Sequence, residues 1–210
     1  MSKPFRFLKR LVGWGKVLSN QNQMLVLMTD NQAFEIGEYP KDGRLAKYRK
    51  ELSMLLTTHD EEGIITFSQR IFSDCMDYLK KTLNASFPNL VLNLINHKEY
   101  TELCDRLDML FGVMPRTRAI IVGSGPIAHV CVDFQNHFKG KPIEFVVNLC
   151  TSYIEELIHS ANPHKSETQI HEVACSAIEG FLEIKLPNCV KEERLKYAKT
   201  CDAIKDKKQL

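Results

Sequence analysis

The stretch that most constrains this chain runs from Pro142 to Leu186. Ile143, Val146, Val147, Cys150, Ile154, Leu157 and Ile158 recur at helical spacing. After the short loop of residues 161–165, Ile170, Val173, Ala174, Ala177, Phe181 and Ile184 repeat the pattern. Pro142 suits a first helical turn, Ser166 with Gln169 forms a capping box, and Pro187 closes the second helix. Two amphipathic helices joined so tightly lie side by side, and their apolar stripes call for further helices to cover them.

The rest of the chain supplies such partners. From Arg44, Leu45, Tyr48, Leu52 and Leu55 keep the helical period, and Ile64, Phe67, Ile71, Cys75 and Leu79 do so in the next segment. Phe87, Leu90, Val91, Leu94 and Ile95 predict a short buried helix. Asn96 with Glu99 marks a capped start for a helix through Leu110, with Tyr100, Leu103, Cys104 and Leu107 on one side. A helix is expected over 126–138, burying Ile127, Val130, Cys131, Phe134 and Phe138, and a charged tail helix over 191–210. Earlier, Met24–Met28, the turn residues 29–32 and Ala33–Ile36 suggest a small β-hairpin near residues 23–36. The fold class is therefore mainly α: a compact bundle of about seven to eight helices. Tyr39–Gly43 breaks the chain, dividing a 1–40 appendage from a 41–210 helical core domain.

A length of 210 residues suffices for one substantial core. The formal net charge of +2 provides no field to draw the whole protein onto nucleic acid. Seven cysteines occur singly, with no CxxC pair, as befits reduced, buried thiols. No apolar run is long enough to span a bilayer, so a cytoplasmic protein is expected, with peripheral membrane attachment as its extension.

That extension rests on the first eighteen residues. Lys3, Arg6, Lys9, Arg10 and Lys16 occur there without one acidic residue, and Phe7, Leu8, Leu11, Trp14 and Leu18 form the apolar stripe of a basic amphipathic helix expected over residues 3–18. Cations behind an apolar face with a Trp anchor suit an anionic bilayer or an acidic protein surface. The partner is therefore a protein or an anionic membrane, and a homo-oligomer is compatible with the apolar stripes. No cofactor is expected, and the balance leans away from an enzyme.

Two alternatives use other residues. His159, His164, Glu167 and His171 gather at the closed end of the 142–186 hairpin, with Glu155 one turn back and Glu156–His159 spaced as ExxH, so a divalent metal is the second reading. His129, Asp133 and His137 add a ridge at i, i+4 and i+8 of the expected 126–138 helix. The third reading is nucleotide binding. Residues 119–128 have the outline of a strand followed by GxGxxG/A, with Gly123 and Gly125 as the phosphate-approach glycines in a GSGP loop. The wholly helical neighbourhood expected around it argues against a doubly wound sheet. Thr58–Gln69 outlines a calcium loop but lacks the first and last ligands, and reads better as a turn opening an Asp/Glu-rich helix start.

Overall fold

A computed structural model describes residues 24–28, 33–38, 41–111, 119–122, 127–134 and 142–208. Among them are six helices and five strands. The strands are β1 (Met24–Met28), β2 (Ala33–Glu38), β3 (Asn89–Ile95), β4 (Ala119–Val122) and β5 (Ile127–Asp133). The helices are α1 (Gly43–Thr57), α2 (Glu61–Leu83), α3 (His97–Phe111), α4 (Pro142–Ala161), α5 (Glu167–Leu182) and α6 (Asn188–Lys208). The protein is mainly helical, as its periodicity implies, and the expected hairpin forms as β1 paired antiparallel with β2.

The organising stretch is α4 with α5. Every described residue of α4 from Ile143 to Cys150 is buried, including Glu144 and Asn148, and Tyr153, Ile154, Leu157 and Ile158 continue the buried surface. A helix apolar around most of its circumference belongs in the middle of a structure. Accordingly α4 packs on α1, α2, α5, β1, β4 and β5. Phe72 meets Tyr153 edge-on at 5.2 Å, and Phe134 meets Phe145 at 5.6 Å, both T-shaped.

The chemistry of the helix ends follows the sequence. Asp60 caps α2 by accepting from the Gly63 N–H at 2.8 Å, with Glu61 and Glu62 in the first turn, so residues 58–63 form an acidic helix start. Both halves of the Ser166/Gln169 capping box form, and Asn96 and Glu99 exchange the corresponding bonds at 3.0 and 3.4 Å. Asp202 of α6 adds a second cap to α5, accepting from the N–H groups of Glu167 and Thr168 at 2.7 and 3.0 Å.

Two expected helices are strands instead. Residues 87–95 and 126–138 were read as helical, but β3 and β5 pair in parallel from Asn89↔Ile127 to Ile95↔Asp133. With β4 antiparallel to β5, the order is β3-β5-β4. Leu90, Leu92, Leu94, Ala128, Val130, Val132 and Phe134 turn one way, and most of them pack on the helical core. The helical positions of 87–95 coincide with a period-2 pattern over seven residues, a length at which neighbours decide between the two. In 127–133 the β-branched Ile127, Val130 and Val132 favour the strand once a partner is present. These two strands account for most of the shortfall against seven or eight helices, and the expected helix over 3–18 lies outside the described residues.

The entry to α1 is locked to the exit from α5. Gly43 has φ +91°, and a Cβ there would run into the Glu183 carboxylate. Glu183, itself at φ +59°, accepts from the Arg44 N–H, while the Arg44 guanidinium donates to the Phe181 carbonyl at 2.9 Å and lies 4.3 Å over the Phe181 ring. Gly43→Ala is therefore expected to cost about 1–3 kcal/mol, from backbone strain and loss of the close approach, read as a lower urea midpoint at unchanged slope. Buried Thr151 Oγ1 has no hydrogen-bond partner among the described residues. Thr151→Val, which keeps the shape and removes the stranded hydroxyl, should leave stability unchanged or raise it by up to about 1 kcal/mol in the same titration.

Candidate functional site

The residues singled out at the α4–α5 turn do not converge. His159 Nε2 faces Glu167 Oε2 at 3.1 Å across the turn, tying the end of α4 to the start of α5. His164 is exposed on the loop. His171 turns inward, its Nε2 lying 3.3 Å from both the Lys191 carbonyl oxygen and Cys175 Sγ. A carbonyl only accepts, so that contact places the imidazole proton on Nε2. Glu155 is held by Arg194 of α6. Among the described residues no three His, Cys, Asp or Glu side chains are gathered to hold a metal.

Electrostatics at this end reinforce structural roles. Burial pushes the Cys175 thiol up to about 11 and holds His171 below the ordinary histidine range, against the Lys191 carbonyl and Glu172, which pull it upward. Their contact therefore joins a thiol to a neutral imidazole, the opposite of an activated thiolate. Burial would also raise the Asp202 carboxyl, but hydrogen bonds from Thr168 and from the Glu167 N–H outweigh it and hold Asp202 below its usual value.

The expected i, i+4, i+8 ridge does not form, because His129 and Asp133 lie on β5; His137 lies outside the described residues. On the strand His129 is exposed and receives the Asn93 Nδ2–H at Nδ1, 3.0 Å away, while Asn93 also approaches Cys131 Sγ at 3.8 Å. Burial, partly offset by Asn93, raises the Cys131 thiol. Asp133 ends the strand at 1% exposure and meets His97 Nδ1 at 2.7 Å. His97, the first residue of α3, is 53% exposed.

The sequence reading missed this His97–Asp133 pair. Because β3 and β5 are parallel neighbours, their carboxyl ends come together, and α3 starts one residue beyond β3. A buried carboxylate accepting from Nδ1–H fixes the tautomer and orientation of the ring. It also anchors the α3 N-terminus to β5. The available signal was the alternation in 127–133, which a helical reading of the segment concealed.

Gly123 and Gly125 lie outside the described residues. Their flanks, β4 and β5, pair antiparallel, whereas the dinucleotide-binding arrangement leads from its glycines into a helix. The basic segment of Lys3, Arg6, Phe7, Lys9, Arg10, Leu11, Trp14 and Lys16 also lies outside them. None of the described helices is long and apolar enough to cross a membrane. No disulfide joins any of the seven cysteines, and six of them are buried.

No family model, no curated protein and no solved structure matches the chain.

His171 gives the fold a defined acid response. Its folded-state value is depressed, so the unfolded chain binds the extra proton, and stability is lost as pH falls through the ordinary histidine range. Between pH 7.5 and 5.5 the melting temperature should drop less in His171→Gln than in the unaltered protein, as read by calorimetry at matched ionic strength.

Proposed function

We propose that this chain is a non-enzymatic interaction protein that docks on an anionic membrane surface through its basic N-terminal segment. The observation that carries this reading is the segregation of charge. Residues 1–16 bear a net +5, and residues 17–210 a net −3. A body of negative net charge is repelled by anionic lipid, so attraction has to come from the arm. Each cation near such a surface contributes roughly 1 kcal/mol, and Phe7, Leu11 and Trp14 supply the apolar anchor that a purely polybasic tail lacks. Against this reading, Gly13 and Gly15 each cost about 1 kcal/mol in a helix interior, a cost that burial of the apolar face has to offset. An acidic protein surface would attract the same cations, and the vesicle experiment below separates the two.

Co-sedimentation of the full chain with vesicles tests this. Binding is expected to phosphatidylserine-rich vesicles and not to neutral phosphatidylcholine, to weaken as salt rises, and to fall about tenfold or more in Lys9→Glu/Arg10→Glu. Trp14→Ser should weaken binding at every salt concentration. Equal sedimentation with both vesicle types would sink the proposal, and tight capture by a soluble acidic protein without vesicle binding would move the arm to a protein partner.

A further inference from the structure

We infer that the outward ridge of α1 is a second contact surface for anionic lipid headgroups, one that fixes how the body sits once the arm is attached. The inference rests on the membrane reading and names a part of the folded body that takes part. Leu45, Tyr48, Leu52 and Leu56 define the buried side of α1. At 100° per residue the opposite pole carries Lys47, Lys50 and Met54. Met54 is 62% exposed, a large apolar side chain set between lysines and solvent. Lys41, Arg49, Lys50, Ser53, Met54 and Thr57 line a groove of about 570 Å³ along the same side, roomy enough for a phosphate-bearing headgroup.

The lysine charges on this ridge are available. Residues 41–50 hold five cations and one acid, Asp42. Arg44 is committed to Phe181 and Glu183, but the Lys41, Lys47 and Lys50 ammonium groups make no ion pair among the described residues. Two nearby carboxylates are engaged elsewhere, Glu51 holding Arg70 at 2.6 Å and Asp74 accepting from the Tyr48 hydroxyl at 2.6 Å, which leaves Asp42 as the acid beside Lys41. The hydroxyls of Ser53, Thr57 and Thr58 donate to carbonyls one turn back, so a phosphate in the groove would be met by the lysines and not by the hydroxyls. A basic face complements anionic lipid, while the body's overall negative charge turns its other faces away. An exposed Met flanked by lysines is also the arrangement by which a helix lays an apolar tip between headgroups. Joined to an arm already on the surface, even a weak second contact acts at high effective concentration.

The experiment compares four full-length proteins on phosphatidylserine-rich vesicles: unaltered, Lys9→Glu/Arg10→Glu, Lys47→Glu/Lys50→Glu, and Lys196→Glu/Lys199→Glu. The last makes the same change in net charge on exposed lysines of α6. Lys47→Glu/Lys50→Glu should bind at least tenfold more weakly, with a shallower salt dependence and an unchanged melting temperature, since a lysine at the surface is worth roughly fivefold. The α6 pair should lose no more than about threefold. If the two pairs lose equally, only net charge matters and the α1 surface is refuted. If the α1 pair binds like the unaltered protein while the arm variant does not, the arm reading survives and this inference falls. Failure of the unaltered protein to bind removes both.

Discussion

The structure depends on the all-round burial of α4. A helix with one apolar stripe can be peeled from its neighbours, but one buried from Ile143 through Cys150 on every side has to be enclosed. Each of its large apolar side chains contributes roughly 1.5–3 kcal/mol by leaving water, so no single neighbouring element could replace the contribution of the whole set. α1, α2 and α5 cover it from one direction and the inner face of the β3-β5-β4 sheet from another. The sheet exists in this protein as a lid on a helix. That is why Leu90, Leu92, Leu94, Val130 and Val132 face inward while Val91 and Ile127 are left 42% and 52% exposed.

Enclosure has a cost at polar positions. Asn148 and Tyr153 are buried in α4 with side-chain polar atoms that lack partners among the described residues, and burial pushes both the Tyr153 hydroxyl and the neighbouring Cys75 thiol well above their ordinary values. Stranded groups of this kind cost about 1–3 kcal/mol each, which the surrounding apolar contacts must offset. The periphery is handled differently. There the ends of helices are closed by Asp60, Asn96, Ser166 and Asp202, and the ion pairs Lys191–Glu179 and Arg194–Glu155 stitch α6 to its neighbours.

Much of this was legible because it is local. Caps depend on a side chain three residues from its partner, so the Asn96/Glu99 and Ser166/Gln169 starts could be read directly. Long helical stripes such as Ile64–Leu79 are equally self-evident, since no strand of that length keeps the period. What could not be read is whatever a distant partner decides. Residues 89–95 satisfy both periods, and only β5, more than thirty residues later, selects the strand. The His97–Asp133 pair was lost with it, because no spacing within one element brings those two together. At the α4–α5 turn, proximity in sequence was mistaken for convergence: His159 and His171 sit near the same turn, yet one reaches across it to Glu167 and the other turns inward to Cys175 and Lys191.

The side chains best suited to chemistry are shifted away from it. A nucleophilic thiol needs a depressed pKa and a cationic neighbour, but Cys75, Cys131 and Cys175 are all raised, burial being the main cause in each. A general base needs an imidazole poised near neutrality and in reach of a substrate, whereas His171 is depressed and buried against α6. Among the described histidines, His97 alone combines half exposure with an orienting carboxylate, and that same bond pins the first turn of α3 to β5. Burial that protects a core thus also silences the ionisable groups it encloses. The charges of the chain are unevenly placed: residues 1–50 hold ten of the 28 cations and four of the 26 acids. Positive charge is thus concentrated in the N-terminal quarter of the sequence, while the remainder carries a net negative charge.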